Sequence, residues 1–265
     1  MTEVRKLTRD QIARAGQLMS ESIRHNILIE RFPVELRPQD AADGKLIAEE
    51  ALRILDWPVV GWKIGYGAPA ERATMPNVPV PGRLLEGWVV SSPAQVDRKD
   101  FHDPLIEAEL AIRLGSDLPA RADGYTLEEV AAAVESIHVG IEVADKRFES
   151  YKGLENAEKH ACNAFARLLV VGGEVPNWRD ASLAEIEVEM LLDGKPVSEG
   201  RVGEDRCDGI WSLWWLINDV GSRGYSMKAG QVISSGAIAK VFPLGEASEA
   251  IIRFNGAEAR IVFAS

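Results

Sequence analysis

The sequence predicts an α+β fold, with a helical amino-terminal region over residues 1–57 and a mixed β-roll or barrel-like sheet body over residues 58–265. Three features of the pattern point there. Apolar residues recur at helical steps early in the chain, short apolar runs broken by Gly and Pro dominate after Trp57, and two Asx-Gly dipeptides separate apolar runs as hairpin turns.

Ile12, Ala15, Leu18, Met19 and Ile23 mark a first helix, and Ala48, Ala51, Leu52 and Leu55 a second. Between them Arg31 to Asp40, with Pro33 and Pro38, breaks the pattern. Val59 to Tyr66 and Val78 to Val90 then read as strand-rich. Inside the body, Thr126 and Glu129 form a capping box ahead of Val130, Ala133, Val134 and Ile137, which predicts a helix there. Another helix is expected from about Gly209 to Val220. Asp193-Gly194 and Asn255-Gly256 supply the positive φ angles of two-residue hairpin turns.

A chain of 265 residues with 46% hydrophobic content has apolar surface for one large folded unit or two small ones. The net charge of −11 argues against a nucleic-acid backbone or an anionic membrane as partner, since both would be repelled. No run approaches the roughly 18 apolar residues of a membrane span, and the opening MTEVRKLTRD lacks the apolar centre of a secretory signal, so a cytoplasmic location is expected. Cys162 and Cys207 are too few for a disulfide framework or a thiolate cage.

Chemistry concentrates in carboxylates. Leu105 to Leu114 reads as a strand whose two-residue period sends Glu107, Glu109, Ala111 and Arg113 to one face and Ile106, Ala108, Leu110 and Ile112 to the other. Ile137 to Ala144 repeats the arrangement with Glu142 on the face of His138. Neighbouring carboxylates repel, and burial adds a desolvation cost that a hard divalent cation would offset. Oxygen donors alone suit Mg²⁺ or Mn²⁺; zinc would want Cys or His. The plain alternative is a solvated sheet face on which Arg113 pairs the glutamates.

Lys63 stands alone in the glycine-bounded apolar strand Val59 to Gly67, where burial would lower its pKa toward a range useful for proton transfer; an exposed edge-strand lysine is the alternative. Ser234-Ser235-Gly236 ends another apolar run, and Ser235 and Gly236 are candidates for gripping a substrate carboxylate, where a β-turn is the alternative. His25, His102, His138 and His160 show no paired metal spacing.

The order GWKIG, IEAELAI, GIEV followed by a DxR, VVGG and ISSGA resembles the 2-keto-4-pentenoate hydratase and 4-oxalocrotonate decarboxylase family of the fumarylacetoacetate hydrolase superfamily, from about Arg37 onward. The resemblance implies a mixed β-roll, Mg²⁺ or Mn²⁺ on Glu107, Glu109 and Glu142, and Lys63 in the place of the family's strand lysine. It also implies a small 2-oxo acid substrate. Hydration of a 2-hydroxydienoate through its 2-oxo-enoate to a 4-hydroxy-2-oxo acid is the leading expectation. Decarboxylation of the 4-oxalocrotonate type, or a noncatalytic partner subunit, are the alternatives.

Two segments depart from the family pattern. Pro81 to Trp88 lacks the Asp-Met ending of the usual loop, and Ala161-Cys162-Asn163 stands where an Ala-Asp-Asn run is common. Both suggest an altered pocket wall and a larger or differently charged substrate, with Arg83, if turned inward, meeting an anionic tail. The resemblance, together with Trp211, Trp214 and Trp215 in one short helical stretch, leads to an expected homo-oligomer.

Overall fold

The computed structural model describes residues 6–180 and 182–265; residues 1–5 of the predicted amino-terminal region lie outside them. Two helices come first, α1 (Arg9–His25) and α2 (Ala41–Leu55). The Thr8 hydroxyl accepts from the Gln11 N–H, and the Gln11 side chain accepts from the Thr8 N–H, which closes the start of α1. Asp40 caps α2, and Asn26 and Asp56 end the two helices in left-handed conformation.

The body alternates strands with short helices. Its first part comprises β1 (Val59–Gly65), α3 (Pro69–Thr74), β2 (Val80–Leu85), β3 (Val89–Ser91), β4 (Ala94–Asp97) and β5 (Leu105–Leu114). Next come α4 (Leu127–Ala132), β6 (Val134–Ala144), α5 (Asn156–Ala161) and β7 (Ala166–Glu174). A hairpin of β8 (Val188–Leu192) and β9 (Lys195–Glu199) precedes α6 (Gly209–Ser222). The chain closes with β10 (Val232–Ala237), β11 (Phe242–Pro243), β12 (Glu249–Phe254) and β13 (Ala257–Ala264).

An eight-stranded mixed sheet runs β2-β1-β10-β5-β6-β7-β3 with β11 alongside β5, and a five-stranded sheet runs β4-β13-β12-β8-β9. The sheets pack closely at Gly172, where a Cβ would lie 2.5 Å from the Glu258 carbonyl oxygen. The larger sheet is covered on both sides. Ile106, Leu110, Ile112, Val139 and Ile141 face the main core with α6 and the second sheet, while α1 and α2 pack on the other side with Leu84, Ala111, Leu169 and Val232.

Both hairpins turn at the expected dipeptides, with φ of 47° and 73° at Asp193 and Gly194, and 46° and 89° at Asn255 and Gly256. The helix after Thr126 is shorter than its spacing predicts. Its capping box forms, but α4 ends at Ala132, and Val134 and Ile137 belong to β6. Three apart, those side chains match helical spacing, but the long antiparallel pairing of β6 with β5 prevails, and a register shift at Arg113 and Leu114 brings both into the core. No helix among the described residues is long and apolar enough to cross a membrane.

Candidate functional site

Strand register assembles the site. Glu107 on β5 lies directly opposite Glu142 on β6, Glu109 lies opposite Gly140, and Lys63 on β1 pairs with Ser234 on β10, the strand between β1 and β5. Glycine at 140 lets β6 approach, since a Cβ there would sit 2.9 Å from the Glu109 carbonyl oxygen. Carboxylate oxygens of Glu107, Glu109 and Glu142 fall within 4.8 Å of one another.

Three polar groups address this cluster. Lys63 Nζ lies 2.7 Å from Glu142 Oε1, with both side chains buried. Ser234 Oγ donates to Glu109 Oε2 at 2.5 Å, and the Gly236 N–H donates to the same oxygen at 2.7 Å. The pairing of β10 with β5 shifts between Ser234 and Ala237, and Gly236 takes a φ of 98° there, which turns its N–H toward Glu109.

Among the described residues, Glu109 Oε1 and Glu142 Oε2 are buried without a hydrogen-bond donor. One ammonium against three carboxylates leaves two negative charges in a desolvated place. The pKa values respond to that imbalance. Burial, opposed by Lys63 and reinforced by Glu142, pushes Glu107 up to about 7, and burial beside Glu142 and Glu107 holds Glu109 well above the usual carboxylate range. For Lys63 burial is the largest influence and acts downward, yet Glu142, Glu107 and Glu109 together override it and keep the ammonium above the ordinary lysine value. This corrects the expectation of a lowered lysine pKa: Lys63 faces three anions, and its proton is held.

The cluster opens into a cavity of about 470 Å³. Glu107, Lys63 and Ala237 lie in one part of its lining, with Leu105, Leu154, Phe165 and Val241 adding apolar surface. Lys159 and Arg201 also line it. Lys159 Nζ stands 4.2 Å from the Tyr66 ring centroid, and the Arg201 guanidinium is close enough to Glu107 to favour its ionised form. Neither cation forms a salt bridge among the described residues. Glu71, whose carboxylate accepts from the Ala68 N–H at 3.0 Å, is the further acidic group of the lining.

Residues 70–257 match the family described as fumarylacetoacetate (FAA) hydrolase, C-terminal. The chain belongs to that family. It is 28% identical over 199 residues to a 4-oxalocrotonate decarboxylase of Pseudomonas sp. (strain CF600), covering 75% of this chain and 74% of that one. It is 29% identical over 188 residues to a 2-hydroxyhexa-2,4-dienoate hydratase of Comamonas testosteroni, covering 70% of each. In fold it is similar to the 4-oxalocrotonate decarboxylase of Pseudomonas putida G7, solved with magnesium and adipate, with a TM-score of 0.85 at 23% identity, covering 98% of this chain and 100% of the other.

Within this member of the fumarylacetoacetate hydrolase family, Glu107, Glu109, Glu142 and Lys63 come together and other expected residues do not. Ser235 turns away: its hydroxyl accepts from the Leu110 N–H at 3.2 Å and donates to the Gly236 carbonyl, so Ser234 takes the side facing the glutamates. Gly236 uses its N–H on Glu109. His138 shares the face of Glu142, but its ring is held by the Gly172 carbonyl at 3.0 Å and by Ser136 at 2.9 Å. Arg83 points away from the cavity, with its guanidinium 4.8 Å from the ring centroids of both Trp62 and Tyr225 and 3.8 Å from Glu49. Trp211 stacks under Arg72 at 3.5 Å, and Trp214 donates to the Tyr125 carbonyl at 2.7 Å.

Sequence reasoning missed Lys159, Arg201 and Phe165, which reach the cavity from α5, from the segment after β9 and from the turn before β7. No local spacing marks them. Ser234 sits in the hydroxyl pair that the sequence marks, and its position on the glutamate face follows from its register opposite Ala111.

Proposed function

We propose that this chain is a divalent-metal-dependent lyase acting on a 2-oxo-3-enoate or its 2-hydroxydienoate tautomer. Glu107, Glu109 and Glu142 would hold Mg²⁺ or Mn²⁺. The carrying observation is the pair of buried oxygens, Glu109 Oε1 and Glu142 Oε2, left without donors in a cluster whose surplus of two negative charges a divalent cation cancels. When bound, the cation supplies positive charge beside the substrate's 2-oxygen. Lys63, which lines the cavity beside Glu142, would donate toward that oxygen as negative charge collects there.

Lys159 and Arg201 favour a substrate with a second carboxylate, and with it decarboxylation. In a 2-oxo-3-hexenedioate the C5–C6 bond breaks and CO₂ leaves. The electron pair forms C4=C5, the former C3=C4 pair becomes C2=C3, and the 2-oxygen takes the charge and a proton, giving a 2-hydroxydienoate. The apolar walls exclude water from the developing charge. Hydration is the second reading, and Glu71 supports it as a carboxylate in the same cavity able to take a proton from water adding at C4.

The test is incubation of the Mg²⁺-loaded protein with 2-oxo-3-hexenedioate and with 2-hydroxypenta-2,4-dienoate, following the conjugated chromophore and CO₂. CO₂ release from the diacid is expected; chromophore loss from the monoacid alone would select hydration, and no turnover of either would remove the proposal. We also infer a homo-oligomer from the partly exposed Trp211, Trp214 and Trp215, which a monomer mass in light scattering at micromolar concentration would overturn. Two free, buried cysteines fit a reducing, cytoplasmic setting.

A further inference from the structure

The two segments that depart from the family pattern meet. β2 is an edge strand, and the Arg83 N–H and C=O are satisfied from outside by a side chain. Asn163 Oδ1 accepts from the Arg83 N–H at 2.7 Å, and Asn163 Nδ2 donates to the Arg83 carbonyl at 2.9 Å. The buried carboxamide thus stands in for a neighbouring peptide group.

Three successive non-glycine residues, Asn163, Ala164 and Phe165, have φ of 58°, 54° and 58°. An L-residue resists this conformation, so three in a row persist only where surrounding contacts impose it. Ala164 and Phe165 line the cavity from this turn. At Gly82, beside Arg83, a Cβ would lie 2.5 Å from the Asn163 carbonyl oxygen, 3.1 Å from Ala164 Cβ and 3.1 Å from Lys63 Cγ. The turn, the glycine and the lysine stem therefore form one close-packed stack.

We propose that Asn163 is a positioning residue: its two-point clamp on the Arg83 peptide holds the left-handed turn that sets Phe165 against the substrate and seats the Lys63 stem over Gly82. The inference rests on the proposed function, because it takes this cavity as the substrate's. The clamp's two hydrogen bonds join Asn163 to Arg83 and involve none of Glu107, Glu109 and Glu142, so its loss should act on substrate placement and leave the metal alone. A displacement of about 1 Å in such a wall costs on the order of 100-fold in turnover.

The experiment compares Asn163→Gly with Asn163→Ala. Both remove the clamp, but glycine relieves the positive φ and alanine does not, so a purely structural role would make activity follow thermal stability. The measurements are Mg²⁺ affinity by calorimetry, affinity of the Mg²⁺-loaded protein for the saturated probe 2-oxoadipate, kcat and KM, and melting temperature. Expected are unchanged Mg²⁺ affinity, at least ten-fold weaker 2-oxoadipate binding and similar losses of kcat in both variants despite a higher melting temperature for Asn163→Gly. Asn163→Asp, which keeps the acceptor and loses the donor, should fall between them and the parent. Parent-like binding and turnover in Asn163→Gly, with a deficit in Asn163→Ala that tracks its melting temperature, would overturn the clamp alone. Failure of the parent protein to bind 2-oxoadipate and to turn over either 2-oxo-3-hexenedioate or 2-hydroxypenta-2,4-dienoate would overturn the proposed function and this inference with it.

Discussion

The two faces of β5 and β6 carry residues one position apart in sequence and opposite in chemistry. On one face Ile106, Ala108, Leu110 and Ile112 join Ile137, Val139, Ile141 and Val143 in the main core. On the other, Glu107, Glu109 and Glu142 gather around a single lysine. The apolar face is stabilised by burial, and its side chains are exchangeable for others of similar volume. The carboxylate face is held against its own repulsion and gains from a cation of the right charge. The same backbone register that satisfies the first face brings the second together, so stability and chemistry are separable by residue although they share strands.

Glu109→Gln breaks the comparison most completely. The amide still accepts from Ser234 and Gly236, so the fold should persist, while one anionic oxygen of the cluster is gone. Mg²⁺ affinity should fall on the order of 100-fold or more and turnover should vanish. Calorimetry checks it, and parent-like Mg²⁺ binding would end the assignment of Glu109 as a ligand. Lys63→Met comes next. It leaves three carboxylates unopposed, so the metal-free protein should lose about 3–5 kcal/mol of stability, recovered on adding Mg²⁺. Turnover with metal present should fall about 10²–10⁴-fold without weakened Mg²⁺ binding. Urea unfolding with and without Mg²⁺ separates the two effects. On the other face, Ile112→Ala should cost about 2–5 kcal/mol through lost burial and the cavity left behind, with kcat and Mg²⁺ affinity unchanged while the variant is folded.

The contrast between faces also explains what the sequence could disclose. β5 runs from Leu105 to Leu114 as its alternation predicts, because a two-residue period is local and a strand covered on one side by core must obey it. Lys63 is visible as a charge in an apolar run, and its partner is not, since Lys63 and Glu142 meet across β10 and β5, which register alone positions. Ser234 and Ser235 stand side by side in the sequence, and only the pairing of β10 with β5, which sets Ser234 opposite Ala111 on the glutamate face, tells the two hydroxyls apart. The condition set for Arg83, that it turn inward, fails because its guanidinium lies against Trp62 and Tyr225, which nothing in the local sequence marks as its partners. Lys159 and Arg201 enter the cavity from distant segments and share no spacing with the glutamates.

A change of pH should alter the carboxylate face and leave the apolar one indifferent. In the unfolded chain Glu107 releases its proton near pH 4.5, whereas in the folded, metal-free protein burial and its neighbours hold the proton until about pH 7, and Glu109 moves in the same direction. Between those values the folded state binds protons that the unfolded state has lost, so stability from this source is present below the unfolded pKa and declines as pH rises through the folded one. The metal-free protein should therefore lose on the order of 1–3 kcal/mol between about pH 5 and pH 8 in urea unfolding, a figure that allows for water reaching Glu107 through the cavity. Mg²⁺ competes with those protons, so its affinity should rise over the same interval, and saturating Mg²⁺ should flatten the stability profile. Glu107→Gln should flatten it without metal. A slope that persists unchanged in both Glu107→Gln and Glu109→Gln would assign the pH dependence to groups outside the cluster and leave the two faces of the strand pair alike in this respect.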